Sequence, residues 1–505
     1  MKKQFVLLMT LFYAVLFVLL FYHQYLGLNL FLFELAAIAI LIFVLKRIPK
    51  GMVSKTVLLG TLLSGAAVVI NYSAFAIFIN ICSFYLYTGV LVYPEAKSVL
   101  TSAGLAITNS FQSFVVFFQS FGNLGGTSKG IRWFLKFLKI GLLPLLVLIL
   151  FVIIYKTSNP IFSKGLTSIG DFLDTYLNGF FAHFKVEWFW WFVAGLILSI
   201  IVFMSARNQT IIDTETRAND QLYRVRNNRD KLFFRLNSLK NEYKSALILL
   251  VLLNLLLLVV NLIDIYWVWF NFEWNGEYLK QFVHEGTYLL ILSILISMAI
   301  VLFFFRRNLN FFPNNTSLKK LAYVWLAQNA VLAVSVGIRN LWYIHYFALA
   351  YKRIGVLFFL VLTLYGMFTI YQKISSRKSL FYMLRTNNLA IYSLLIAMAL
   401  FNWDVIIARY NFNHYKQSFV HLDFLASLSY KALPYLDKTM DELAEIKQVQ
   451  DTLFPFEEHY MTIDLYHEKI EAKKEKFLLE YTEKNLLSWN LAEANAYKKL
   501  KYASK

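Results

Sequence analysis

Asn402-Trp403-Asp404-Val405-Ile406-Ile407-Ala408-Arg409-Tyr410-Asn411-Phe412-Asn413-His414 is where this chain changes character. Upstream of it, apolar runs of about 20 residues follow one another, each long enough to cross a bilayer core as a helix. Downstream, the chain turns polar and stays so to Lys505. The stretch therefore divides the sequence into an all-α, polytopic membrane bundle over 1–407 and a small soluble helical tail over 408–505. It also sets an acid, Asp404, and a base, Arg409, at the end of an apolar run, where charge is costly.

Composition agrees with that division. Of the 505 residues, 59% are apolar and only 16% charged, whereas soluble domains carry about a quarter charged residues. A single large soluble core is excluded because the runs recur with short basic loops between them. Cys82 is the only cysteine, so an intrachain disulfide and any CxxC metal or redox site are excluded. Met1-Lys2-Lys3 leads into an apolar run with no A-x-A pattern after Tyr22, which reads as an uncleaved first span rather than a signal peptide.

Eleven spans are expected, at about 5–22, 28–45, 52–70, 74–93, 140–155, 188–204, 246–266, 284–305, 321–343, 354–372 and 388–407. An amphipathic stretch at 98–121 is the place where this count could change. The loops alternate in charge. Lys46/Arg47/Lys50, Lys129/Arg132/Lys136/Lys139, the 207–245 loop, Arg306/Arg307/Lys319/Lys320 and Lys373/Arg377/Lys378/Arg385 fall on one side. Loops 23–27 and 71–73 have no basic residue, and 267–283 has only Lys280. Because Lys and Arg are enriched in cytoplasmic loops, the N-terminus is expected inside and the tail outside, in an inner membrane. Eight of the eleven Trp then lie near the outer interface, where amphipathic rings settle. The lipid bilayer is the first partner. The 207–245 loop, with nine Lys/Arg and five Asp/Glu, enforces topology and suits anionic lipid head groups. It carries no nucleic-acid-binding signature, and no nucleic-acid partner is expected.

In the tail, Leu422, Leu425, Leu428, Leu433 and Leu436 recur every three to five residues and predict helices with a buried face. A protein partner for this tail is an expectation that follows from its being the one sizeable polar region.

Charges inside spans are the default pointer to function. Glu34, Asp264, His284, Glu285, Arg339, Arg353, Asp404 and Arg409 all fall at one level, the outer half of the bundle. One reading is an outward-open polar vestibule or a tail-docking site. The other is that helix ends tolerate charge and long side chains reach water. Asp404 and Arg409 are five apart, roughly 140° around a helix, so they do not face each other. Asp404 shares a face with Asn411, which makes the joint a packing node rather than a local ion pair.

No chemistry-bearing motif survives inspection. The glycine-rich Gly122–Gly130 segment lacks the order of a P-loop. No GxSxG occurs, and the first outer loop lacks the paired acids of a lipid-linked glycosyl transferase. The histidines offer no HExxH. Catalytic residues, metal ligands and cofactors are therefore not expected. Gly60, Gly65, Gly141, Pro144, Gly355 and Gly366 are candidate helix interruptions of the transporter kind, although small residues more often serve helix packing.

Several phrases, taken together, carry a resemblance: HQYLGLNLFLFE over His23–Glu34, His284-Glu285-Gly286, IRNLWYIHYFALAYKRIG over Ile338–Gly355, NWDVIIARYN over Asn402–Asn411, and LDFLASLSYKALPYL over Leu422–Leu436. The set resembles a bacterial family of multi-pass membrane proteins described as domain of unknown function 4173, with its 4153 relatives. That resemblance implies an inner-membrane protein with an extracytoplasmic helical tail, and it brings no activity or ligand with it. The expected role is a non-enzymatic scaffold or sensor-like membrane component. The alternative is a transporter or channel with an outer polar vestibule reaching past Glu34 and Asp264.

Overall fold

The computed structural model describes residues 3–122, 154–169, 186–224, 239–272, 276–306, 308–455 and 461–503, with a few single residues between 141 and 152 and at 457; the side chains of 276–285 are not among them. Among the described residues the regular elements are all helices, and the one β pairing is the isolated bridge of Gln221 to Lys378.

The first bundle is built from α1 (Lys3–Phe21), α2 (Leu28–Ala39, continued as a π-helical turn through Val44), α3 (Met52–Asn71), α4 (Ala74–Val92), α5 (Val99–Gly122) and α6 (Val186–Phe203). Tyr13, Phe33, Leu41, Val57, Tyr87 and Phe203 fill its centre. Glycines let backbones approach. A Cβ on Gly89 of α4 would sit 1.9 Å from the carbonyl oxygen of Ser102 in α5, and one on Gly195 of α6 would sit 2.8 Å from that of Ala14 in α1. Such close approach replaces the hydrophobic drive that lipid does not provide.

A short helix, α7 (Gln209–Arg217), leads to the second bundle. This consists of α8 (Leu239–Asp264, continued as a π-helical turn through Phe270), α9 (Gly276–Phe304), α10 (Thr316–Phe347) and α11 (Tyr351–Ser375), packed around Leu250, Ile294, Val301, Phe305 and Val336. Leu252, Leu255, Leu256 and Leu262 on α8 remain exposed, as expected of a helix that is apolar all round and meets lipid on one side. The next helix, α12 (Leu380–Ala399), packs against α3, α4 and α5 on one side and α11 on the other, joining the two bundles.

Seven described helices are long and apolar enough to cross a membrane, α12 with its successor forms an eighth if a bent pair is one span, and three shorter apolar helices cover Phe5–Phe21, Leu28–Val44 and Glu187–Phe203. Three sequence expectations change. The amphipathic stretch 98–121 is a helix of spanning length, whose polar side chains Ser102, Asn109 and Ser113 are buried against neighbours. The span expected at 388–407 starts at Leu380 and breaks after Ala399, and α13 (Trp403–Asn413) leaves at 64°. The span expected at 140–155 lies largely outside the described residues, so the total of eleven is not established.

After the break the tail forms a helical cap. It contains α14 (Leu422–Ser427), a 3-10 turn (Tyr430–Ala432), α15 (Leu433–Leu436), α16 (Met440–Leu453), α17 (Ile463–Glu483) and α18 (Leu491–Ala503). All five leucines of the expected periodicity are buried. They share a core with Tyr466, Ile470 and Phe477, and with Ile354 and Ile407 of the bundle. Thr439 and Glu442 form a capping box that starts α16. The cap covers the turns that are poor in basic residues: Leu28 N–H donates to Trp489 O at 3.0 Å, and Phe419 N–H to Tyr346 O at 2.7 Å. Lys129, Arg132, Lys136, Lys139 and residues 225–238 lie outside the described residues; the described basic turns gather at the end opposite the cap. There Arg47 donates to Ser205 at 2.5 Å, Arg385 pairs with Asp220 at 2.8 Å, and Glu215 accepts the amides of Lys97 and Ser98 at 3.1 and 3.0 Å.

Candidate functional site

The break itself positions the most heavily bonded charge at the cap seam. Asn402 precedes α13 and Asp404 lies in its first turn, where an acid is stabilised by the positive end of the helix dipole. Asp404 is 8% exposed. Its carboxylate accepts hydrogen bonds from Tyr351 Oη of α11 and Ser429 Oγ of the cap, and it pairs with Lys431 Nζ at 3.2 Å. Lys431 reaches down from the 3-10 turn and is 4% exposed. It also donates to the carbonyl oxygens of Asn71 at 3.1 Å and Tyr72 at 3.2 Å. These carbonyls end α3, where Tyr72 adopts a left-handed conformation at φ 45°. Three acceptors thus meet the three protons of one ammonium, two of them at the negative end of a helix. Burial pulls the Lys431 amine below its ordinary pKa, and Asp404 opposes that shift.

Neighbouring asparagines complete the joint. Asn71 Nδ2 donates to Ala399 O at 3.0 Å, tying the end of α3 to the end of α12. Asn411 clamps Leu349 from both sides, accepting its N–H at 2.8 Å and donating to its carbonyl at 3.1 Å.

The remaining residues singled out in the sequence do not form one cluster. Asp264 and Arg339 make a buried ion pair between α8 and α10, each side chain 7% exposed. Arg353 is held by the carbonyls of Phe347 and Ala348 and stacks 4.3 Å over the Tyr343 ring. Arg409 is exposed and belongs to none of the described ion pairs, so it is not part of the node that Asp404 anchors. His284 and Glu285 lie on α9, and their side chains fall outside the described residues. Among the described residues no three His, Cys, Asp or Glu side chains converge as a metal site would require.

Glu34 lies apart, 2% exposed in the first bundle. It accepts from Asn80 Nδ2 at 2.8 Å, and Asn80 also contacts Ser64 Oγ at 3.2 Å. One turn further along α3, Thr61 Oγ1 meets Ser83 Oγ at 3.0 Å. Ser83 meets Tyr392 Oη at 2.5 Å, and Tyr392 donates to Val57 O at 3.1 Å. Gly60 and Gly65 do not interrupt α3, which runs unbroken. They are seats: a Cβ at Gly60 would meet Tyr392 Oη at 2.1 Å, and one at Gly65 would meet Glu34 Oε2 at 3.3 Å. Gly355 and Gly366 likewise sit in an unbroken α11, and the stretch around Gly141 and Pro144 lies mostly outside the described residues.

Among the described residues no open vestibule reaches Glu34 or Asp264. Both acids are sealed, and neither lines any of the three described cavities. Lys431 escaped the sequence reading because a lysine in an amphipathic tail looks solvated. Its setting in SYKALPYL, flanked by buried Ala432 and Leu433, is the signal that pointed inward.

No curated protein and no solved structure matches this chain. The family described as Domain of unknown function (DUF4153) matches residues 2–439, from the first helix through the joint and past Lys431 to the Thr439 cap of α16, and the chain belongs to that family.

Proposed function

We propose that this protein is a non-enzymatic scaffold of a bacterial inner membrane, with its N-terminus in the cytoplasm and its helical cap held outside as a rigid platform for a protein partner. The observation that carries this reading is Lys431, which fastens the cap to Asp404 and to the end of α3 at once. A platform needs such fixed seating, whereas a tethered domain does not. The described basic turns lie at the end opposite the cap and supply the orientation through the excess of Lys and Arg in cytoplasmic loops. Attraction of the 207–245 loop to anionic lipids belongs to the same reading.

The test uses a single introduced cysteine in a Cys82→Ser background. Leu479 on α17 is 70% exposed, and Leu479→Cys should react with a membrane-impermeant maleimide in intact spheroplasts. Reaction only after permeabilisation would reverse the orientation. A photo-crosslinking residue at Leu486, 71% exposed, should give one discrete adduct that is weakened when Lys431 is replaced. Absence of any adduct from the cap surface counts against the platform.

A second reading rests on two buried hydrogen-bonded groups, Glu34–Asn80–Ser64 and Thr61–Ser83–Tyr392, which adjoin at the Thr61 carbonyl. A buried carboxyl joined to hydroxyls and an amide inside a membrane bundle has the parts of a proton relay. Vesicles holding the purified protein would then acidify under an inside-negative potential, and Glu34→Gln would abolish this. Vesicles indistinguishable from protein-free ones dispose of the relay.

A further inference from the structure

At the cap end of the second bundle, a cavity of about 300 Å³ opens between α9, α10 and α11, with Phe424 of the cap among its walls. That volume is at the lower end of those that hold small-molecule ligands. Its chemistry is unlike the rest of the seam. The walls are aromatic and apolar, chiefly Tyr288, Tyr343, Tyr351 and Val356, while Lys352 and Arg353 supply two cations. No carboxylate is among its described lining residues. Lys352 is exposed and takes part in none of the described ion pairs. Arg353 is held in place by the Phe347 and Ala348 carbonyls and the Tyr343 ring, so its position is fixed before any ligand arrives.

Two further features point to an occupant. Thr287 lines the cavity and is 4% exposed, yet its hydroxyl has no hydrogen-bond partner among the described residues. A buried hydroxyl left without a partner costs on the order of 1–3 kcal/mol in general, which a bound polar group would relieve. The lateral wall is also thin. A Cβ on Gly355 of α11 would meet nothing within 4 Å, and one on Gly286 of α9 would meet only Arg339 Nη1, at 3.8 Å. Neither position is filled by a neighbour, so the backbone next to Thr287 and Val356 leaves room on the α9 and α11 sides. Tyr288 and Tyr351 stand exposed near the cavity mouth, and Leu292, one turn along α9 on the Tyr288 face, is also exposed.

We infer that this cavity is a binding site for one anionic phospholipid of the leaflet on the cap side, its phosphate between Lys352 and Arg353 and its acyl chains between α9 and α11. A soluble anion would satisfy the cations and leave the apolar walls unused. A zwitterionic lipid would bring its own ammonium to a site whose described lining holds two cations and no acid. The tyrosines sit where aromatic side chains settle at a membrane–water boundary. The inference goes beyond the scaffold reading and stands without it.

The experiment titrates the full chain, purified in a neutral detergent, with short-chain phosphatidylglycerol, short-chain phosphatidylcholine and glycerol 3-phosphate, following bound lipid by native mass spectrometry. Phosphatidylglycerol should bind at least tenfold more tightly than phosphatidylcholine, and glycerol 3-phosphate should not compete at millimolar concentration. Lys352→Gln should weaken phosphatidylglycerol about tenfold, as loss of one charged hydrogen bond does, with no change in thermal unfolding. Val356→Trp, which narrows the cavity, should weaken it as well. Equal affinity for the two lipids, competition by glycerol 3-phosphate, or a Lys352→Gln variant that binds as wild type would each overturn the site.

Discussion

Lys431 joins the cap both to Asp404 and to the end of α3. Removing one member of a buried, hydrogen-bonded ion pair leaves the other uncompensated and costs about 3–5 kcal/mol. Lys431→Ala should therefore lower the thermal midpoint and open the cap to protease, and the double change Lys431→Ala with Asp404→Asn should recover part of the loss. Equal losses for the single and double variants would show that the pairing is incidental. Arg409→Ala is the contrast. That side chain is exposed and outside the described ion pairs, so its replacement should shift stability by no more than about 0.5 kcal/mol. The sequence reveals half of the joint. Asp404 stands out because an acid at the end of an apolar run is rare, and the helical geometry correctly turns it from Arg409. Its partner lies 27 positions later in a mixed segment, and nothing in local spacing ties Asp404 to Lys431 across the end of α3.

Element ends were harder to read than element existence. Asn402 before Asp404 carries the marks of a helix start, but the apolar count from 388 onward reads as one continuous span. A new helix does start after Asn402, although the Asn402 side chain makes no capping hydrogen bond, and Asn71 takes the carbonyl of Ala399 at the break. Helix α5 shows the same limit differently: its polar face conceals a span when its serines and asparagine are buried by neighbours. Glycines look alike in sequence and differ in packing. Gly89→Ala presses a methyl group on the backbone of α5 and should cost about 1–3 kcal/mol by overpacking, or more where backbone cannot yield. Gly355→Ala faces open space and should be neutral or stabilising by up to about 1 kcal/mol through helix propensity. Unfolding of the two variants in detergent compares them directly, and similar losses would contradict the packing described.

Among the described residues, basic turns lie at one end and the cap covers turns at the other, where Lys352 and Arg353 also stand. What loop charge does not convey is that the tail shares its core with Ile354 and Ile407 and closes the first hairpin of the chain. Leu28 N–H is satisfied by Trp489, and Tyr25 N–H by Ser488 at 2.9 Å. A chain ended after Thr439, which retains the matched family region, should still insert, but the Leu28 amide should exchange hydrogen far faster than in the full chain; unchanged protection would make the seam dispensable. The seat of Lys431 on α3 also sets a clock. Its acceptors at Asn71 and Tyr72 are made 360 and 359 residues before it. At typical synthesis rates of about 5–20 residues per second, the end of α3 waits on the order of 20–70 s for the ammonium that covers it. For that interval the nascent bundle displays two open carbonyls at the end of α3, and an unattached Asp404 joins them only for the last 27 residues before Lys431 is made.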